Sequence, residues 1–117
     1  MESDERLPKE EIIKRSSEFS RIIKNGKRWK GKHLRIFFEE TDTRQVGFAV
    51  SKRQGNAVKR NRIKRLLREI SRKRRYIIGK YRIIIMMEQD AVHLEISNLE
   101  PDFDRFLNEK IKENKNS

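Results

Sequence analysis

Between Lys52 and Arg75, twelve lysine and arginine side chains fall within 24 residues, and only Glu69 opposes them. Guanidinium and ammonium groups at this density do one kind of chemistry. Arginine forks and lysine point charges bind phosphate oxygens and release the counterions that phosphates carry. A solvated helix face normally mixes signs, because like charges four residues apart repel by a few tenths of a kcal/mol. Here Lys64, Arg68 and Arg72 repeat that repulsion at successive i, i+4 steps. The pattern selects a polyanion as partner, and nucleic acid is the commonest one.

Three other constellations have plainer readings. Gly26-Lys27-Arg28-Trp29-Lys30-Gly31-Lys32-His33 nearly spells a phosphate-binding P-loop. That loop ends in Ser or Thr, follows a strand and opens a helix. This segment ends in His33, follows a helical pattern and opens a strand pattern, so it reads as a basic connection with Trp29 turned inward. His33 and His93 are the only histidines, too few for a metal site that needs three or four convergent ligands. Glu100, Asp102 and Asp104 could hold magnesium, but carboxylates in a first helical turn are expected from the helix dipole alone. No nucleophile–base pairing is recognisable, so the chain offers no catalytic residues of its own.

The elements that position these groups follow from charge and apolar spacing. The net charge is +12 and the pI about 10.3. Residues 21–38 carry seven basic and no acidic side chains, and residues 51–82 carry 14 basic and one acidic. The rest of the chain is net acidic, so the excess is internal, not a basic tail. With no cysteine, disulfides and thiolate zinc sites are excluded. No stretch approaches 18 apolar residues, and the N-terminus lacks the apolar core of a secretory signal; a cytoplasmic protein with no membrane partner is expected. The length of 117 residues fits one RNA-binding domain, 1–117, with 1–6 and 114–117 flexible.

Phe19, Ile22 and Ile23 share one face of a helix, or of two short turns, within residues 9–25, capped by Ser16 or Ser17 and closed by Gly26. Alternation predicts strands over 33–38 and 46–50, with Thr41–Thr43 as a hairpin loop between them. Asn56 is a helix N-cap, and Ile63, Leu66, Leu67 and Ile70 form the apolar stripe of a helix from Ala57 to about Arg75. Asn61, Arg62, Lys64, Arg65, Arg68 and Arg72 cover its other side. Tyr81–Met87 holds the run Ile83-Ile84-Ile85-Met86-Met87, suited to a strand buried on both faces. A helix over 101–114 starts at Pro101 and Asp102, with Phe103, Phe106, Leu107 and Ile111 inward. Residues 89–98 fit no single pattern. The order predicts an α+β sandwich, with the last two strands parallel in a βαβ unit.

The run Val50-Ser51-Lys52-Arg53-Gln54-Gly55-Asn56-Ala57-Val58-Lys59-Arg60-Asn61-Arg62-Ile63-Lys64-Arg65-Leu66-Leu67-Arg68-Glu69 closely resembles the "RNR" region of bacterial ribonuclease P protein components. Leu7–Glu11, Lys14–Phe19, Lys24–Lys27 and Tyr81–Ile85 are similar to other parts of the same family, so the resemblance spans roughly residues 7–111. It implies a small α-β sandwich with a left-handed βαβ crossover, opposite to the general rule. It also implies the accessory subunit of a ribonucleoprotein that removes the 5′ leader of precursor tRNA, with the active site and magnesium on the RNA subunit and no cofactor on the protein.

By position, Lys52, Arg53, Asn56, Arg60, Asn61, Arg62, Lys64, Arg65 and Arg68 would face the ribonuclease P RNA. Phe19, Ile23 and Phe37 would meet the leader of precursor tRNA in a cleft between the first helix and the sheet. Two positions depart from the family: Ile23 stands where a second aromatic is usual, and Phe37 where a tyrosine is usual. In isolation, anions such as sulfate or phosphate would relieve the self-repulsion of the basic blocks. A ribosomal-type or general RNA-chaperone protein and a metal-dependent nuclease using Glu100, Asp102 and Asp104 stand as alternatives.

Overall fold

A strand apolar on both faces has to lie inside its sheet, and Ile83-Ile84-Ile85 sets the plan of this one. The computed structural model describes residues 7–88 and 94–112. The expected flexible ends, 1–6 and 114–117, and His93 lie outside the described residues. Strands β1 (Lys27–Lys30), β2 (Leu34–Glu40), β3 (Gln45–Ala49) and β4 (Tyr81–Met87) form one sheet in the order β1-β2-β4-β3. β4 pairs antiparallel with β2 on one side and parallel with β3 on the other. The parallel pairing of the last two strands is as expected.

The hairpin expected around Thr41–Thr43 is not one, because β4 lies between the two strands that this loop joins. The reason is burial. β4 places Ile83, Ile84 and Ile85 on both faces without exposure, whereas β3 offers Gly47 and Ala49 to one face and suits an edge. β1 was read as a basic connection. Its one apolar side chain, Trp29, faces the core, and the three lysines and arginines around it are exposed, which leaves too little alternation to signal a strand.

Two apolar layers cover the sheet. The larger packs Leu34, Ile36 and Phe38 of β2 and Ile83 and Ile85 of β4 against two helices. One is α2 (Ala57–Lys73), which contributes Ile63, Leu67 and Ile70. The other is α4 (Ile96–Phe106), which contributes Leu99, Phe103 and Phe106. The smaller layer lies on the opposite face, where Phe37 and Ile84 meet Ile13 and Ile22 under α1 (Ser16–Asn25).

Several boundaries differ from the sequence reading. The first helical segment is a 3-10 turn, Lys9–Glu11, followed by α1, with an extended link whose Ile12 bridges Val46. Arg15, not Ser16 or Ser17, precedes α1, and it makes no side-chain cap. α2 stops at Lys73, and a bend at Arg74 leads into a short helix, α3 (Arg75–Ile78). α4 starts at Ile96 and carries Pro101 inside it, because the apolar face already begins at Leu99. Beyond Phe106 the helix widens into π-type turns over Leu107–Lys112 that keep Leu107 and Ile111 buried.

One buried carboxylate ties α4 to the sheet. Asp102, 3% exposed, accepts the backbone N–H groups of Lys32, His33 and Leu34 at 2.9, 2.9 and 2.8 Å. Arg105 completes its shell at 3.0 Å. Removing an acceptor costs about 1–3 kcal/mol for each buried donor left unpaired, and the Leu34 N–H is buried while those of Lys32 and His33 are partly so. Asp102→Ala is therefore expected to lower stability by about 3 kcal/mol or more, read as a shifted midpoint in urea denaturation. Asp102→Asn, which keeps one acceptor oxygen, should cost less. An unchanged midpoint for the alanine variant would refute the role.

Candidate nucleic-acid interface

The basic block divides in two once its partners are known. Its C-terminal cations are neutralised at home. Arg72 pairs with Glu69 one helical turn away. Lys73 and Arg74 reach Glu100 at 3.5 and 3.3 Å, and Arg74 also forks onto Asp104. Arg75 meets Glu11 at 2.8 Å. Carboxylates from the N-terminal turn, α2 and α4 thus take up the positive charge of residues 72–75. Glu100 and Asp104, considered above for magnesium, are two of these carboxylates, and Asp102, the third, is occupied by Arg105 and backbone N–H donors. Among the described residues no group of three or more His, Cys, Asp or Glu could hold a metal ion.

The N-terminal part of the block is left open. Lys52, Arg53, Lys59 and Arg65 are exposed, and among the described residues no carboxylate pairs with them or with Arg60, Lys64 or Arg68. Local chemistry places each of them. Lys52 and Arg53 lie in the 3-10 turn Lys52–Gln54, which Gly55 ends at φ 126°, a left-handed backbone that favours glycine. Asn56 then accepts the N–H of Lys59 at 3.0 Å as the N-cap of α2, as expected. Its oxygen is engaged in that cap. From there the apolar stripe faces the sheet and turns Asn61, Lys64, Arg65 and Arg68 away from it.

Arg68 has a neutral support, and Arg62 is partly paired. The guanidinium of Arg68 lies over the ring of Phe48, 5.8 Å from its centroid. Arg62 donates to the carbonyl of Leu94 at 3.1 Å and approaches Glu95 at 3.7 Å, so it also braces the segment leading into α4. The Nε of Arg60 is buried without a hydrogen-bond partner.

The second candidate region lies on the α1 face of the sheet. Phe19 and Ile23 are half-buried along the flank of α1. Phe37 lies beneath them, 5% exposed, so its ring forms floor and not surface. Gly47 marks how closely α1 approaches: a Cβ there would stand 2.8 Å from Cζ of Phe19. Past α1, Ala49 and Met86 continue the floor into an open depression of about 600 Å³, walled by Ser51, Arg53, Gln54 and Glu88. Arg53 therefore borders both this depression and the open cations of α2. Glu88, held below the usual carboxylate range by Arg35 and then Lys30, is the acidic group at that mouth.

Sequence reasoning missed two groups that matter here. Glu11 gathers Arg44 and Arg75 from distant segments, and no local spacing announces such a pairing. Tyr76 is 71% exposed beside both arginines. An aromatic residue following a run of cations was its only signal.

Comparison with known proteins agrees with this architecture. The family described as Ribonuclease P matches residues 7–111. The chain is 34% identical over 116 residues to the ribonuclease P protein component of Acidothermus cellulolyticus, covering 95% of this chain and 96% of that one. It is also 34% identical over 109 residues to that of Staphylococcus epidermidis, covering 86% and 95%. Among solved structures, the Staphylococcus aureus RNase P protein superposes with a TM-score of 0.77 at 28% identity, over 86% of this chain and 96% of that one. The Thermotoga maritima RNase P protein shares the fold, with a TM-score of 0.70 at 24% identity over 88% and 94%.

The Glu11 pairing carries a pH signature. Hydrogen bonds from Arg75, opposed by partial burial and helped by Arg44, hold its carboxyl at about 2, down from 4.5. A depressed folded-state pKa contributes stability that is fully present above the unfolded value of 4.5 and is lost as pH falls through about 2. In that window the parent should lose stability more steeply than Glu11→Gln, measured as denaturation midpoint against pH. Equal slopes would show that the pairing adds nothing.

Proposed function

The chain belongs to the ribonuclease P protein family, and on that premise we propose that it is the protein subunit of a ribonucleoprotein ribonuclease acting in tRNA 5′ maturation. The open cations of Lys52–Arg68 dock the RNA subunit, and the α1 face of the sheet receives the 5′ leader of precursor tRNA. Catalysis and its magnesium reside on the RNA; the protein supplies position and charge and carries no cofactor. Such a protein works in the cytoplasm. Among the described residues no helix is long and apolar enough to cross a membrane.

The observation that carries this reading is the division of the basic block. Carboxylates were available and they neutralise residues 72–75, while among the described residues the cations from Lys52 to Arg68 are left without one, Arg62 excepted, which approaches Glu95. Unneutralised cations on a rigid helix raise the local concentration of a polyanion, and their counterion release makes binding steeply salt-dependent. Phosphate contacts of this kind position an RNA without reading its sequence. The leader then crosses Arg53 and passes over Met86 and Ala49 toward Phe19 and Ile23, where apolar side chains and one ring offer surface to unstacked bases. Phe37 supports that surface from below. Sulfate or phosphate would occupy the same cations in the absence of RNA and raise the unfolding temperature.

Reconstitution tests the assignment. Added to a bacterial ribonuclease P RNA, the protein should support cleavage of precursor tRNA at low magnesium and bind precursor more tightly than mature tRNA in the assembled enzyme. Equal affinity for the two would favour a general RNA chaperone. Cleavage by the polypeptide alone would make it a nuclease.

Arg53→Ala with Arg65→Ala should weaken binding to the RNA subunit and reduce the salt slope by roughly one unit per lost phosphate contact. Circular dichroism should be unchanged, since both side chains are exposed. Unchanged affinity and slope would remove α2 from the interface.

A further inference from the structure

Among the described residues three large apolar side chains are exposed: Val58, Tyr76 and Ile77. Val58 sits among the open cations of α2. The other two are adjacent on α3, outside both regions assigned above. Tyr76 has a setting that ordinary surface tyrosines lack. The guanidinium carbons of Arg75 and Arg44 lie over its ring, 5.0 and 5.5 Å from the centroid. Both guanidiniums are gripped by the one carboxylate of Glu11. Arg44 donates to it at 3.0 and 3.2 Å, and Arg75 at 3.0 and 2.8 Å. Arg75 also donates to the Tyr76 hydroxyl at 2.9 Å.

A single carboxylate holds both cations beside the ring, while the residue stays 71% exposed. The two cations fix the setting of the ring, so a partner stacking on it has little left to order. Cations against an aromatic ring draw on its electron density. The exposed ring therefore suits an electron-rich, flat partner, and the positive charge that one carboxylate leaves over between Arg44 and Arg75 suits one that carries phosphate.

The chain itself brings the ring near the basic helix. α3 starts where α2 ends, so Tyr76 lies just past the helix that carries the open cations, eight residues beyond Arg68. We infer that Tyr76 is a stacking site for an unpaired base of the RNA subunit, extending the interface of α2 beyond its last open cation. The inference rests on the proposed docking of RNA to α2 and adds a contact of a different kind. The α2 cations contribute through phosphate charge. Tyr76 contributes through stacking, which is tolerant of base identity and releases few counterions.

The experiment is direct binding of the protein to ribonuclease P RNA without precursor tRNA, over a range of salt. Tyr76→Ala should lose roughly tenfold in affinity, near the lower end of what one stacked base contributes, with the salt slope unchanged. Tyr76→Phe keeps the ring and should bind as the parent does. The thermal midpoint reports folding in parallel, and neither variant should shift it by more than a degree or two, since the ring is exposed.

Parental affinity in Tyr76→Ala would overturn the stacking site. A loss shared equally by Tyr76→Phe would overturn it too, because the hydroxyl and not the ring would then matter. A loss seen only with leader-bearing precursor present would move the contact to the substrate and overturn the assignment to the RNA subunit. The Arg53 and Arg65 variants separate this from the larger reading. If they weaken binding while Tyr76→Ala does not, only the stacking site fails. If neither set has an effect, RNA docking on α2 fails.

Discussion

Carboxylates placed at the seams between elements hold this protein together. With 30 basic side chains and 18 acidic ones, the folded chain faces its own repulsion throughout. The acids answer it where segments distant in sequence meet. Glu11 joins the N-terminal turn to the start of β3 and to α3. Glu100 and Asp104 join α4 to the end of α2. Asp102 fixes the turn between β1 and β2 through three backbone N–H groups, a carboxylate playing the part usually left to a helix cap. Exposed ion pairs add little to stability, but these are bidentate or partly buried, where geometry and desolvation count for more.

That use of acid shapes what remains. Every carboxylate placed at a seam is one not available to α2, and among the described residues the helix keeps its N-terminal cations unmatched except Arg62. The apolar stripe makes this tolerable. Ile63, Leu67 and Ile70 are buried in the larger core, and the burial of three large aliphatic side chains contributes about 1.5–3 kcal/mol each. That exceeds the few tenths of a kcal/mol by which each like-charge neighbour destabilises the helix. The core therefore holds the charged face in place, and the face gains its partner without refolding. A chain that relied on charge balance for helix formation could not present so concentrated a surface.

Legibility in the sequence followed the length of the signal. The α2 stripe, the Asn56 cap and the doubly buried β4 all rest on patterns of four or more residues close together, and the structure places them as read. β1 carries a single inward side chain, so alternation could not show it. The sheet order was hidden for another reason: proximity along the chain suggested that β2 and β3 pair, and only the two-sided burial of β4 puts it between them. The start of α4 was misjudged because Pro101 is usual in a first turn, whereas Leu99 had already opened the apolar face. Least legible was the division of the basic block. Residues 52–75 look uniform in sequence, and apart from the local pair of Arg72 with Glu69, contacts 26 to 64 residues away distinguish the paired cations from the open ones. The comparisons with relatives name the family but do not draw this line.

The edge strand β3 gives the arrangement its final constraint. Gly47 and Phe48 are consecutive, so their positions face opposite sides of the sheet. Phe48 supports Arg68 of α2 on one side, and the missing Cβ of Gly47 lets Phe19 of α1 close down on the other. The charged helix and the half-buried aromatic of the α1 face are thus set by adjacent residues of one short strand. The same strand pairs with Ile12–Ile13 along its outer edge, the segment that delivers Glu11 to its two arginines. A shift of β3 by one residue would exchange its faces and disturb all three arrangements at once. Parallel pairing to the fully buried β4 resists such a shift, because Val46 and Phe48 would leave the larger core. The most apolar strand of the sheet therefore fixes the spacing between the regions that are proposed to meet RNA.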